Sequence, residues 1–185
     1  MKKVNLFGFI LLSVVLFSCG NKQVKDVQPQ LSSLNVELQE TALSTKLKDI
    51  DLTRLPRLTP EEYDRLQLAR VKDLGGYDLS DLTMGEILFT NDQGKILTIK
   101  VITDGEITEY LLSYDKDGNL LDNLLVAYED MVEYYSEVSS KINSNKIIVQ
   151  TVNFTYGDED GSNAEKSDTA FTNYQITPEL RIVND

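Results

Sequence analysis

No histidine and no tryptophan occur in these 185 residues, and cysteine appears once. Without histidine the chain lacks the commonest general base and the commonest transition-metal ligand, so serine–histidine and cysteine–histidine catalysis are excluded. A single cysteine permits neither an intrachain disulfide nor a thiolate metal cluster. Positive charge is scarce as well: 18 Lys and Arg stand against 30 Asp and Glu, a formal net charge of −12. Such a surface repels phosphate, so no nucleic-acid partner is expected. Hard-metal and carboxylate chemistry are what composition leaves open.

The one sustained apolar run, Val4 to Phe17, is broken only by Asn5, Gly8 and Ser13 and follows Lys2 and Lys3. A run of about 15 residues is short for a hydrocarbon core of roughly 30 Å, which favours a signal peptide over a permanent span. It ends in Leu16-Phe17-Ser18-Cys19-Gly20.

That string resembles the lipobox of bacterial lipoproteins, with Phe17 where a smaller residue is commoner. The resemblance implies cleavage before Cys19, a diacylglyceryl thioether on its sulfur and acylation, typically with palmitate, of the new amino terminus. It makes Cys19 the lipidation site and the membrane a partner through the anchor. Loss of Lys2 and Lys3 with the signal leaves 30 acids against 16 bases, net −14. In its tyrosine-rich β segments the chain is also similar to small outer-membrane lipoproteins of Gram-negative gut anaerobes, a likeness that implies no activity. In some such bacteria an acidic run after the cysteine directs export to the cell surface. Asn21-Lys22-Gln23-Val24-Lys25 is not acidic, which implies an outer-membrane protein facing the periplasm rather than the outside.

Three segments follow from this: a signal peptide at 1–18, a lipidated tether at 19–34, and one globular domain at 35–185. The domain reads as helical over 35–76 and β-rich over 84–185. Val36, Leu43, Leu47 and Ile50 recur at helical spacing. Thr59-Pro60-Glu61-Glu62 is a capping box with Pro at the first helical position, and Leu58 can staple onto Tyr63. The spacing predicts a helix running through Leu66 and Ala69 to Leu74, closed by Gly75-Gly76 in left-handed conformation.

From Met84 to Tyr128 the pattern changes to period two, interrupted by Thr103-Asp104-Gly105-Glu106 and Asp115-Lys116-Asp117-Gly118-Asn119. Alternation bounded by Asp-Gly turns marks antiparallel hairpins. Tyr110, Leu112 and Tyr114 fall on one face of their strand, with Ile107, Glu109 and Leu111 on the other. Residues 130–142 fit a strand or a helical stripe, and their Tyr, Val and Ser content favours strand. Lys146 to Tyr156 is a strand, Gly157 to Ser167 an acidic loop, and Asp168 to Thr177 and Leu180 to Val183 finish the sheet. The fold class expected is α+β, an N-terminal helix packed on a mainly antiparallel β-meander.

Asp115, Asp117 and Asn119 alternate like the first ligands of a calcium loop, but Gly118 falls fourth rather than sixth and Val126 occupies the twelfth place. A hairpin turn accounts for them better, and no metal site, cofactor or catalytic residue is assigned. Thr90 to Leu97 echoes Tyr114 to Leu121 as two hairpins of similar turn chemistry. Tyr is favoured where a sheet face is half wet, so Tyr110, Tyr114, Tyr134 and Tyr156 are the candidate ligand-binding residues, set against plain cross-strand pairing. The function expected is a lipid-anchored envelope protein acting as a non-enzymatic interaction module for a protein, peptide or glycan. The alternative is a carboxylate-dependent hydrolase of envelope or dietary polymers, for which Asp104, Glu106 and Glu109 are the nearest trio.

Overall fold

A computed structural model describes residues 38–43, 55–130, 132, 135–156 and 164–185; for 38–43, 156 and 164–166 it describes the backbone alone. The lipobox, Cys19 and Tyr134 lie outside the described residues.

Among the described residues nine strands build one antiparallel sheet. They are β1 (Leu38–Leu43), β2 (Leu82–Thr90), β3 (Gly94–Ile102), β4 (Glu106–Asp115), β5 (Leu120–Asp130), β6 (Ser136–Ser144), β7 (Lys146–Tyr156), β8 (Ala164–Ile176) and β9 (Ile182–Asn184). From β2 to β9 each strand pairs with the next in sequence, a plain meander. The turns explain this connectivity. Asp115 Oδ1 accepts from the backbone N–H of Asp117 and Asn119, and Gly118 takes φ +84°, a conformation that costs glycine little. Ser144, at φ +56°, closes the tight turn from β6 to β7.

The expected α+β class is not what the chain forms. Among the described residues the only α-helix is α1 (Pro60–Arg65), six residues long, followed by 3₁₀ turns at Leu68–Arg70, Lys72–Leu74 and Leu79–Asp81. The capping box is present, with Thr59 Oγ1 accepting from Glu62 N–H and the Glu62 carboxylate accepting from Thr59 N–H. The helix nevertheless stops where Gln67 enters the left-handed region at φ +53°. Beyond it, Leu68, Val71 and Leu74 are buried and Ala69 is exposed, a three-residue spacing that suits 3₁₀ turns better than the 3.6-residue period. Gly75 is right-handed at φ −68°, so no left-handed cap forms there. Within the expected helix at Val36–Ile50, Leu38–Leu43 is strand β1, and the remainder lies outside the described residues.

Both faces of the central strands are covered, which is why β3 and β4 are buried almost throughout. On one face Leu97, Ile99, Val101, Tyr110, Leu112 and Tyr114 pack beneath Leu58, Leu66, Leu68, Val71 and Leu74 of the 55–82 segment. On the other, Ile96, Leu111 and Val126 meet Val138, Ile142, Ile147, Val149, Ile176 and Leu180, so β6 to β9 fold back across the first half of the sheet. The bend occurs at β6. Its edge pairs with β5 only at Val138 and Glu137, then with β1 from Ser140 to Ser144. Ser140 Oγ donates to Val126 O at 2.6 Å across the opening between them. Asp122 secures the far end, where its carboxylate accepts from Ile182 N–H at 3.1 Å and Arg181 donates to Leu121 O at 2.8 Å.

Candidate functional site

Tyr110 and Tyr114, two of the four tyrosines expected to face a ligand, lie inside the domain. Tyr114 is fully buried and donates to Leu66 O at 2.8 Å, tying the 55–82 segment to the sheet. Tyr110 is 5% exposed beneath the same cover. Burial pushes the Tyr110 phenol up to about 12, with the Asp73 and Glu106 carboxylates adding to the shift, and burial likewise raises Tyr114. Tyr77 is raised by burial and by the Glu106 carboxylate, to which its hydroxyl donates. These phenols stay protonated and serve the packing of the 55–82 layer. Tyr156 belongs to β7, with its side chain outside the described atoms, and Tyr134 lies outside the described residues altogether.

The carboxylates do not converge. Asp104 is exposed on its turn, while Glu106 and Glu109 project from opposite faces of β4 and meet different partners. Glu109 is 1% exposed and accepts from Lys100 Nζ at 3.1 Å, directly across the β3–β4 ladder. A buried carboxylate needs such a partner, because desolvating the charge alone would be prohibitive. The pair shares its face with Ile96, Thr98, Leu111 and Ser113, and only Lys100 keeps partial access to solvent.

The two echoing turns lie side by side. Gly94 pairs with Asp115 and Lys95 with Tyr114, and a recess of about 340 Å³ opens between Asn91, Asp92, Lys95, Asp115 and Lys116. The side-chain oxygens of Asn91 and Asp115 are already committed. Asn91 Oδ1 accepts from Gln93 and Gly94 N–H, and Asp115 accepts from Asp117, Asn119 and the Asn119 amide. The Asn119 side chain leads the bonds that hold the Asp115 carboxyl below its usual range. Lys95 Nζ rests 5.2 Å from the Tyr114 ring centre. Among the described residues no group of three or more Asp, Glu, Cys or His could hold a metal ion.

What the domain does present is the outer side of β7 and β8. β8 runs for 13 residues, but β9 pairs only with Tyr174 to Ile176. N-terminal to this, Ser167 to Phe171 are all exposed, Phe171 at 63%. Ile148 on β7 lies diagonally beside Phe171 on the same face, 44% exposed. Even Ala170, whose parity follows Tyr174 toward the core, is exposed, because the β7–β8 hairpin extends past the layer that would cover it. Sequence reasoning did not single out Phe171. The available signal was the uncharged run from Thr169 to Pro178 in a chain that is 26% charged.

No protein-family model matches the chain, and no curated protein sequence matches it. Among solved structures, the Nup133 β-propeller domain of Vanderwaltozyma polyspora aligns at 8% identity and a TM-score of 0.25, over 66% of this chain and 44% of that one. The chain thus spans under half the length of that domain, and so low a score carries no argument about fold or activity.

Proposed function

We propose that the chain is a lipid-anchored protein of the cell envelope, held through Cys19 in the outer membrane and facing the periplasm, whose β domain is a non-enzymatic interaction module. The observation that carries the module reading is the edge of β8 N-terminal to Asn173, which no strand among the described residues meets, with Phe171 standing exposed beside its uncharged part from Thr169 to Asn173. Unpaired strand edges are sites where another chain adds, and monomeric proteins normally guard them with lysine, proline or a bulge. Between Thr169 and Asn173 there is neither lysine nor proline. The lipobox string supports the anchor, since the one cysteine of the chain falls where the motif requires it. Against hydrolysis by the Asp104, Glu106 and Glu109 trio stands the placing of Glu106 and Glu109 on opposite faces of β4, because acid and base must share one cleft.

Two experiments test the two halves. Radiolabelled palmitate should enter the full chain and be lost in Cys19→Ala; equal labelling would remove the anchor from the proposal. The full chain should recover the same partner repeatedly from detergent-solubilised envelope, and Phe171→Asp should reduce that recovery. A partner captured equally well by Phe171→Asp would move the interaction elsewhere on the domain.

A further inference from the structure

We propose that the β domain docks on the bilayer that anchors it, by the end where β1 begins, with a recess at the β6–β7 turn taking the phosphate of a phosphatidylethanolamine headgroup. This rests on the anchor at Cys19 and adds to it a second, non-covalent contact.

The turns of a meander fall alternately at its two ends. The β2–β3, β4–β5, β6–β7 and β8–β9 turns therefore share one end, and their contacts agree. Gly94 pairs with Asp115, Arg181 donates to Leu121 O, and Asn145 O accepts from Ile176 N–H. β1 begins at this end too, since Leu38 pairs with Ser144. The chain that comes from Cys19 thus enters the domain beside the β6–β7 turn.

Charge is divided between the two ends. Residues 38–40, 90–95, 114–119, 141–146 and 177–181 hold five acids and five bases, whereas 103–106, 129–137 and 157–163 hold nine acids and no base. The second end is repelled by phosphate. β4 alone runs 10 residues, roughly 30 Å, so with the first end down the acids stand several Debye lengths of about 8 Å from the headgroups.

The recess supplies the contact. It encloses about 360 Å³ and is lined by Lys141, Asn143, Ser144, Asn145, Lys146 and Ile148. Ammonium, amide N–H and hydroxyl groups are what phosphate oxygens accept from, and none of these described lining residues is acidic. Across the ladder Lys146 faces Asn143 on β6 and Gln175 on β8, neither of them charged. A zwitterionic headgroup suits an end whose charges balance, whereas an anionic bilayer would repel a processed chain of net −14. Linked through Cys19, the domain meets headgroups at an effective concentration on the order of millimolar, so a weak contact suffices. The open stretch of β8 stays clear of the bilayer. Asn173 O accepts from Asp185 N–H of β9, and by strand alternation Thr169 and Phe171 turn their backbone groups to that same edge. From Asn173 this stretch runs toward the acidic end.

Depth labelling of the full chain in vesicles of phosphatidylethanolamine and phosphatidylcholine tests the docking. A nitroxide is attached at Asp117→Cys in the β4–β5 turn, or at Asp104→Cys in the β3–β4 turn, both exposed positions. With Cys19 acylated, the introduced thiol alone takes the label; two labels per chain would overturn the anchor, and the docking with it. Nickel chelated to lipid headgroups should relax the label at 117 and spare the one at 104. Lys146→Glu, at an exposed position, should leave the circular dichroism of the sheet unchanged and the chain on the vesicles. It should cut the docked-to-free ratio about tenfold, roughly 1.4 kcal/mol. The same charge change at the acidic end, Lys166→Glu, should leave the ratio unaltered. Equal relaxation at both labels, stronger relaxation at 104, or equal loss from both lysine variants would overturn the docking and leave the anchor standing. Shifts of the Asn143 and Asn145 amide signals on adding inorganic phosphate, with no docking by the labels, would make the recess a site for a free anion and overturn it as well.

Discussion

Lys100 and Glu109 show at the scale of single residues how much this interior depends on a correct partner. Their ammonium and carboxylate meet at 3.1 Å, with the two side chains 19% and 2% exposed. Removing one member leaves the other charged in an apolar setting, whereas replacing both with hydrocarbon removes the problem. Glu109→Leu should therefore cost about 1–3 kcal/mol in urea unfolding, reduced from the fully buried case because Lys100 retains some access to water. Lys100→Met combined with Glu109→Leu should recover most of the loss; a double variant no better than the single would show that the pair is not what stabilises this position. Tyr110 makes a second expectation at the same scale. Its folded pKa of about 12 exceeds the value near 10 of an unfolded phenol, so the folded chain keeps a proton that the unfolded chain releases. The stability tied to that proton is complete below about pH 10 and disappears as pH rises through about 12. Chemical unfolding followed from pH 9 to 12 should show a shallower alkaline decline in Tyr110→Phe than in wild type, with the slope due to Tyr77 and Tyr114 remaining.

Among the elements, the β3–β4 hairpin carries the tightest constraint. Gly94 has φ +153°, and a Cβ there would meet Tyr114 O at 2.0 Å and the Leu180 side chain at 2.8 Å. Gly94→Ala should lower stability by about 2–3 kcal/mol or more, measured as a fall in melting temperature, because both the backbone and its neighbours would have to move. Gly118→Ala, at φ +84° with nothing within 4 Å, should cost less, about 1 kcal/mol from the backbone alone. These hairpins were legible in the sequence because Asp-Gly turns and period-two patterning agree along β3, β4 and β5. The helix expected to Leu74 was not, because Leu66, Leu68, Val71 and Leu74 satisfy the core equally well as 3₁₀ turns, and the Gln67 reversal has no marker of its own. The same blindness affected the tyrosines. Alternation placed Tyr110 and Tyr114 on one face correctly, but whether that face is wet depends on the 55–82 segment that covers it, a contact between residues some 50 apart such as Tyr114 and Leu66. The exposed run on β8 was legible only as missing charge, which by itself does not separate an open edge from a buried strand.

At the scale of the molecule, protection should be uneven. Native-state hydrogen exchange should be slowest in β3 and β4, which are buried on both faces, and fastest among the outward amides of Thr169 and Phe171. Should those two amides exchange as slowly as Ile99 at low protein concentration, the edge would not be open in the single chain. The chain also has an order of assembly built into it. Every pairing from β2 to β9 joins neighbours in sequence, but Thr41 of β1 waits for Ile142 of β6. A polypeptide synthesised amino end first delivers β1 long before its partner arrives. The meander can zip up hairpin by hairpin in the meantime, since local closures are fast and distant ones slow. The docking of β1 is then the last stitch, and until it is made the half of β6 from Ser140 to Ser144 remains accessible to whatever escorts the emerging chain.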